Sequence, residues 1–381
     1  MKKISLFDFS VLLIIFIGLF NTSQFGATLS WILVPVLLIF INMIFFDRTL
    51  RLLPMHLIAI IFWLICTFST VVSAVVTVQR DVITFLVFVM LFMLITGNTK
   101  SFLNNKLYIK AYVLVGLLGV ANILFNFITK DFYNPWYHRA TVEFMGVHRD
   151  PNYVGAFLAP LPIIIVYLTS TQQIKKKWIS ALCITLTFAA LIVDGSRGAI
   201  VSACLPLVLY YVFQLKSVKK KILIMLSGII VLVIGWNVML QYLPTQTIER
   251  LLFMQSGDTR SDLWAAALTG FLENPMIGQG LNSSTVYANA IAGNHSHNMY
   301  IDILSTSGII GAGLYLLLLF LVIKGKGRMN GQKILIAISF NLPMFFLNGF
   351  NSLTMWIPLI MCYIFSLQID KQQDNSPVEK V

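Results

Sequence analysis

Two histidines, His295 and His297, stand where a polar segment of this chain meets a long apolar run. The whole chain holds five histidines, so this pair accounts for two of them. Because imidazole titrates near neutral pH, the pair predicts a site that handles protons or faces phosphate. His297 and Asn298 are expected to begin the apolar helix that follows.

Two arginines occupy comparable positions at the start of helices. Arg197 follows Ser196, which can begin one helix, and Arg260 falls in the first turn of another helix expected from residue 259. A positive charge at this end has the wrong sign for the helix dipole. A bound phosphate would resolve the mismatch, because the backbone amides and the guanidinium would share one anion. The alternative is ordinary ion pairing with neighbouring carboxylates, Asp194 for Arg197 and Asp258 or Asp262 for Arg260.

A third segment of the same kind runs from His148 to Tyr153. Asp150 and Asn152 flank Pro151, and both residue types are good helix caps. This explains the Asp-Pro-Asn order as a helix start. His148 and Arg149 are left as candidate ligand contacts.

The elements that position these residues are membrane helices. The chain is 58% hydrophobic and 11% charged, whereas soluble domains carry about 25% charged residues. Apolar runs of bilayer-spanning length recur throughout. They predict an all-α polytopic protein with about 12 transmembrane helices, at residues 6–20, 29–46, 55–78, 82–96, 107–129, 153–169, 178–193, 198–214, 221–240, 298–323, 333–349 and 353–367.

Basic residues give the topology. Of 27 lysines and arginines, one alternate set of connections holds 20, and the other holds the remaining 7. By the positive-inside rule the first set is cytoplasmic, as are both termini. The net charge of +12 is therefore a topology signal, and no nucleic-acid partner is expected. The site residues fall on the extracytoplasmic side, which predicts an outward-facing site.

The domain organisation follows from these spans. Residues 1–381 are expected to form a single membrane-embedded domain. A large extracytoplasmic loop, residues 241–297, precedes the tenth span and carries a short amphipathic helix. Residues 368–381 are expected to be a polar cytoplasmic tail. Three glycines in the tenth span are expected to let helices approach closely: Gly308, Gly311 and Gly313.

Three segments resemble the O-antigen ligase and polymerase superfamily of bacterial membrane glycosyltransferases. They are GSRGAIVSA at 195–203, TRSDLWAAALTGFLENPMIGQG at 259–280 and HSHNMYIDILSTSGIIGAG at 295–313. A weaker match is DPNYVGAFLAP at 150–160. Together, in this order and on one membrane face, they are typical of the superfamily.

The resemblance implies an outward-facing, metal-independent enzyme of the bacterial cytoplasmic (inner) membrane that needs no cofactor. It would transfer a glycan from undecaprenyl pyrophosphate to an acceptor hydroxyl. Arg197 and Arg260 would hold the pyrophosphate, and His297 would act as general base. The expected substrate-binding residues are His295, Asn298, His148, Arg149, Asp150 and Asn152. Beside donor, acceptor and bilayer, a chain-length regulator or other polysaccharide-assembly proteins are expected partners.

Two alternatives stay open at this point. Within the superfamily, polymerisation of repeat units is preferred over ligation of a finished glycan to lipid A core, protein or wall polymer. Outside it, a transporter or flippase would place ionisable groups near the membrane midplane, often in two related halves. Here the spans carry little charge, and no internal repeat is visible in the sequence.

Overall fold

The computed structural model describes residues 4–20, 28–45, 50–73, 79–98, 105–129, 139–144, 146–214, 217, 219, 260–292, 296–347 and 352–374. Within these residues almost every element is helical, and the sheet is one hairpin of two-residue strands. The predicted all-α class is therefore confirmed. The predicted span 221–240, the loop residues 241–259 and His295 lie outside the described residues.

The helices before the hairpin are α1 (Leu6–Phe20), α2 (Thr28–Phe45), α3 (Pro54–Ser73), α4 (Gln79–Gly97) and α5 (Asn105–Thr129). The hairpin pairs β1 (Glu143–Phe144) with β2 (Val147–His148). There follow α6 (Pro151–Leu158), α7 (Leu161–Ser170), α8 (Lys177–Asp194), α9 (Arg197–Gln214), α10 (Arg260–Glu273), α11 (Ser283–Ala292), α12 (Met299–Lys324), α13 (Gly331–Asn341), a 3-10 turn (Leu342–Phe346) and α14 (Leu353–Asp374).

Seven of the described helical stretches are long and apolar enough to cross a membrane, and four shorter apolar helices accompany them. Large apolar side chains along these helices are exposed, as a lipid-facing surface requires; on α3 they include Leu57, Leu64 and Phe68. The chain is thus a multi-pass membrane protein.

The predicted span at 153–169 differs from the structure in one respect. It consists of two helices, α6 and α7, separated at Ala159 and Pro160. Pro160 and Pro162 lack the amide hydrogens that would continue the helical ladder. At the other end of the chain, α14 continues to Asp374, so the first half of the predicted polar tail is helical.

The contacts divide the chain into two compact units. The first comprises residues 1–115, 259–337 and 344–381, and the second comprises residues 116–258 and 338–343. In the first unit, α12 packs against α3, α10, α11 and α14. In the second unit, α9 packs against α6, α7 and α8.

Helix α12 is interrupted at Gly308, whose φ of 61° and ψ of −162° are not helical. Residues 275–280, which we call the insert, pack against this interruption. The carbonyls of Ser305 and Thr306 accept hydrogen bonds from the amides of Gln279 and Gly280, at 2.7 and 2.9 Å. On the other side of the break, the amide of Ile309 donates to Pro275 at 2.9 Å, and that of Ile310 donates to Met276 at 3.3 Å. The insert thus satisfies backbone groups that the broken helix cannot pair internally.

The three glycines of α12 differ in their surroundings. A Cβ on Gly308 would lie 2.4 Å from the carbonyl carbon of Met276. One on Gly311 would lie 3.5 Å from the ring of Phe62 in α3 and much closer to Ser307 of its own helix. At Gly313 nothing lies within 4 Å, so the expected close approach there is wrong. The sequence shows the positions of the glycines but not which side of α12 packs against a neighbouring segment.

Replacing Gly308 by alanine is expected to destabilise the protein, whereas Gly313→Ala should be neutral or slightly stabilising. The backbone region of Gly308 costs other residues about 1–3 kcal/mol, and the clash with Met276 adds to this. Gly313 gains only alanine's helix preference, about 0.5–1 kcal/mol. Thermal unfolding of both variants in the same detergent measures the difference. Equal midpoints would show that the break at Gly308 does not need glycine.

Candidate functional site

In the second unit, the short hairpin carries His148 and Arg149. Glu143 pairs with His148, and the ladder is extended by the amide of Arg149 donating to the carbonyl of Val142 at 2.9 Å. The hairpin is fixed to α5 by Asn122, whose side chain accepts from the amide of Glu143 at 2.9 Å and donates to its carbonyl at 3.1 Å. Backbone pairing within the hairpin therefore positions His148 and Arg149. The side chain of Asn122 holds the hairpin against α5 through the two hydrogen bonds to the backbone of Glu143.

Arg149 is half-buried beside Tyr153 and Asp150. Burial lowers the pKa of the guanidinium to about 10, and the two neighbours oppose this change. The side chain therefore remains cationic at neutral pH and can attract an anion. His148 is half-buried too, with its Nδ1 shielded and without a hydrogen bond to the described residues.

Asp150 caps the start of α6 as predicted, whereas Asn152 lies inside the helix and does not cap it. The carboxylate of Asp150 accepts a hydrogen bond from the amide of Asn152 at 2.7 Å, and Pro151 occupies the first turn. The side-chain oxygen of Asn152 faces the guanidinium of Arg139, with both contacts long at 3.4 Å. A carboxylate oxygen of Asp150 and the amide oxygen of Asn152 therefore both have partners within the protein.

Arg139 is a residue that the motifs missed. It is 1% exposed, and its Nε donates to the main-chain carbonyl of Asp194 at 2.6 Å. Gly195 ends α8 in the left-handed conformation with φ of 67°, directly beside the Arg139 side chain. Arg139 thus supports the turn that leads through Ser196 to Arg197. The sequence offered only a lone extracytoplasmic arginine as a signal.

Arg197 is the first residue of α9, as predicted, and is half-buried. The buried Ser196 precedes it, and its carbonyl accepts from the amide of Ile200 at 3.0 Å. Gly155 of α6 lets this turn approach closely, since a Cβ there would lie 2.8 Å from the hydroxyl of Ser196. The start of α9 therefore packs against α6, and Arg139 contacts the residues before α9 and within α6.

Arg139→Ala is expected to lower both stability and turnover. Removing the guanidinium leaves the buried Asp194 carbonyl without this donor, at a cost of about 1–3 kcal/mol, and loosens the turn before Arg197. Asn152→Ala removes only the long contacts and should have a smaller effect on both. Thermal midpoints and initial rates of the two variants provide the test. A larger loss in Asn152→Ala would contradict this role for Arg139.

In the first unit, α10 begins at Arg260, so this side chain lies in the first turn as expected. One turn later Trp264 donates from its Nε1 to the carbonyl of Ser296 at 2.8 Å. Residues four apart share one helix face, with Cβ atoms about 5–6 Å apart. Arg260 is therefore one turn away from Trp264, whose partner Ser296 directly precedes His297. The structure thus joins the helix that begins at Arg260 to the segment that holds His297.

His297 has a left-handed backbone with φ of 50°. Asn298 caps α12 and accepts from the amides of Tyr300 and Ile301 at 3.0 and 3.2 Å. Ser296 and Asn298 are buried, whereas His297 between them is half-buried. Such backbone conformations are rare outside glycine and concentrate at functional sites. The neighbours hold the segment in place while its imidazole is less buried.

A buried carboxylate, that of Asp302, helps to hold the segment from Ser296 to Asn298 in place. Asp302 is 2% exposed and accepts hydrogen bonds from the hydroxyls of Ser284 and Ser296. It therefore links α11, the histidine segment and α12. Sequence reasoning did not single it out, although a carboxylate in an otherwise apolar helix was a usable signal.

Asp302→Asn should keep most of the activity, whereas Asp302→Ala should lose more activity and stability. Asparagine retains an oxygen that can accept from both serines, while alanine leaves buried hydroxyls without it, at about 1–3 kcal/mol. Turnover and thermal unfolding of both variants are compared with wild type. If asparagine is as damaging as alanine, the negative charge of Asp302 matters rather than its acceptor geometry.

The predicted site residues thus form two groups, one in each unit. The second unit holds His148, Arg149, Asp150, Asn152 and Arg197, and the first holds Arg260, His297 and Asn298. Among the described residues, no group of three or more His, Cys, Asp or Glu side chains could hold a metal ion.

Comparison with known proteins gives a family match. Residues 181–316 match the model of a family described as O-antigen ligase, which confirms the resemblance drawn from the motifs. The matched region contains Arg197, Arg260 and His297 and both helix starts that carry the arginines. No curated protein matches the chain.

Proposed function

From this match to the O-antigen ligase family, we propose that the protein transfers a glycan from undecaprenyl pyrophosphate to an acceptor hydroxyl. The reaction takes place at the outer face of the bacterial cytoplasmic membrane and joins repeat units into a cell-surface polysaccharide. The family match supports glycan transfer, and the apolar helices support the membrane location. The donor, the direction and polymerisation are parts of the proposal.

The observation that carries the proposal is the hydrogen bond from Trp264 to Ser296. It ties the helix that begins at Arg260 to the segment that holds His297. This contact supports the proposal that Arg260, a cation suited to pyrophosphate, and His297, a group suited to proton transfer, serve one site.

In the proposed reaction, His297 accepts the proton of the acceptor hydroxyl. The oxygen then attacks the anomeric carbon of the donor sugar, and the bond from that carbon to the pyrophosphate oxygen breaks. Undecaprenyl pyrophosphate leaves with the bonding electrons. Arg260 stabilises the negative charge that develops on it, helped by the amides at the start of α10. The resemblance to the superfamily implies the same role for Arg197 at the start of α9.

The other residues have supporting parts. Arg149 stays cationic and contributes to anion binding, and His148 lies next to it on the hairpin. The oxygens of Asp150, Asn152 and Asn298 are engaged in capping or in contact with Arg139, so we assign these residues to positioning. His295 remains a proposed substrate contact.

Ligation of a finished glycan is the second candidate, and the description of the matching family favours it. The chemistry at the donor is the same in both cases, so the residues above serve either reaction. The two differ in the acceptor, which is another lipid-linked glycan for a polymerase and a different molecule for a ligase.

Purified protein in lipid vesicles, supplied with an undecaprenyl pyrophosphate oligosaccharide, tests the proposal. Longer lipid-linked products with release of undecaprenyl pyrophosphate are expected, and they should persist in excess chelator. Product only after addition of a second acceptor would identify a ligase. Movement of the intact donor without bond cleavage would identify a transporter, and equal product from wild type and His297→Ala would contradict the mechanism.

A further inference from the structure

Four exposed apolar residues lie together where the insert meets α12: Leu272, Met276, Ile309 and Ile310. We call them the apolar rim. Met276 is joined to Ile310 by a backbone hydrogen bond, and Leu272 lies in the last turn of α10, just before the insert. Their exposed fractions are 72%, 57%, 56% and 38%. We propose that the apolar rim contacts bilayer acyl chains, so that the end of α10 and the insert are embedded in the membrane.

The depth of the rim follows from α12. The helix ends at the exposed Lys324, and a polar cluster marks this end, because Lys333 donates to the Lys324 carbonyl at 2.6 Å and pairs with Asp370 at 2.6 Å. At 1.5 Å per residue, Ile309 lies about 22 Å along the helix from Lys324. If Lys324 lies at one boundary of a hydrocarbon core about 30 Å thick, Ile309 and Ile310 lie about 8 Å inside the other boundary.

The insert must share this depth. Pro275 and Met276 accept hydrogen bonds from Ile309 and Ile310, which fixes them at the same level. The rim also continues the exposed apolar surface farther along α12, where Leu316, Leu317 and Phe320 are 60%, 42% and 48% exposed. One continuous surface with a membrane-spanning helix favours lipid over a soluble partner.

Irregular backbone at this depth is tolerated only where its polar groups pair within the protein. The insert meets this requirement at the bonds to α12 described above. In addition, the amide of Gly278 donates to Asn274 at 2.8 Å, and the carbonyl of Gln279 accepts from the hydroxyl of Ser73 at 2.7 Å. The backbone pairing of the insert is therefore of the kind that a turn inside the membrane requires.

The nearby charge is also paired. Glu273 accepts hydrogen bonds from Gln279 at 3.1 Å and from the hydroxyl of Tyr287. Burial, and then the contact with Glu273, raise the pKa of Tyr287 to about 12, so the phenol keeps its proton and remains a donor. The carboxylate thus has partners on α11 and the insert, while Leu272 and Met276 carry no polar group.

Spin labels in lipid vesicles test the embedding without any assay of activity, so its outcome is independent of the proposed function. Single labels are placed by Leu272→Cys, Met276→Cys and Ile310→Cys after the four native cysteines have been replaced by alanine. Ser261→Cys, exposed at the start of α10, serves as the water-side control. Leu317→Cys serves as the lipid-facing control. Collision with oxygen and with a water-soluble nickel chelate is measured at each site.

The labels at 272, 276 and 310 are expected to collide mainly with oxygen, as at 317, while the label at 261 collides mainly with the nickel chelate. A label at 276 that behaves like the one at 261 would overturn the proposal. Protection from both reagents would do so as well, since it would indicate cover by a second copy or another protein. A photoreactive benzoylphenylalanine at 276 in the native-cysteine protein provides a second measurement, and it should cross-link to phospholipid.

Discussion

His297→Asn is expected to lower turnover about 10²–10⁴-fold, the range for loss of a general base. The substitution is chosen because the backbone of His297 is left-handed, with φ of 50°. Asparagine accepts this conformation more readily than most residues, so the segment between Ser296 and Asn298 should keep its shape. His297→Ala should lose as much activity and some stability as well.

Comparing His297→Asn with His297→Gly separates a role of His297 in proton transfer from a role in shaping the turn. If His297 only shaped the turn, His297→Asn and His297→Gly would both retain activity. If it moves the proton, both variants lose activity while their thermal midpoints stay near that of wild type. Initial rates with the lipid-linked oligosaccharide and unfolding curves in the same detergent give the two measurements. Activity near wild type in His297→Asn would remove the base from the mechanism.

Arg260→Ala and Arg197→Ala are each expected to lower kcat/KM about 10²–10³-fold, equivalent to about 2.7–4 kcal/mol of transition-state stabilisation. Both arginines begin helices, so each cation adds to the amides that are available at that helix end. Lysine should restore only part of the loss, because its single ammonium lacks the planar fork that binds two phosphate oxygens.

Arg328→Ala is the matched control for these variants. Arg328 is exposed on the connection between α12 and α13, at the end of α12 remote from His297. Its removal should change kcat/KM less than about two-fold if overall charge is unimportant, because exposed charges at such a distance are screened. Full activity in both Arg197→Lys and Arg260→Lys would show that a point charge suffices and that bidentate binding is not required.

Hydropathy was sufficient to locate most helices. The expected span at 198–214 became Arg197–Gln214, and that at 107–129 became Asn105–Thr129. This works because lipid offers no hydrogen bonds, so an apolar run of sufficient length has few alternatives to a helix. Local capping was equally readable, as Asp150 and Asn298 show.

The interruptions of helices were harder to predict. Proline at 160 and glycine at 308 were visible in the sequence, yet α6 and α7 were expected as one span and α12 as an unbroken one. A break is stable only if other groups pair with the freed amides and carbonyls. At Gly308 those groups belong to the insert, residues 275–280, which lies before α11 in the chain.

The sequence by itself determined the membrane class, the helix starts and the residue types suited to binding phosphate and moving a proton. Those properties depend on composition and on neighbours within one helical turn. Only the tertiary structure showed that Trp264 joins the helix of Arg260 to Ser296, the residue before His297. It also showed that Asp302 accepts hydrogen bonds from Ser284 and Ser296, and that Arg139 supports the turn before Arg197. Each of these contacts involves a backbone carbonyl or a hydroxyl, groups whose partners are chosen by packing rather than by sequence pattern.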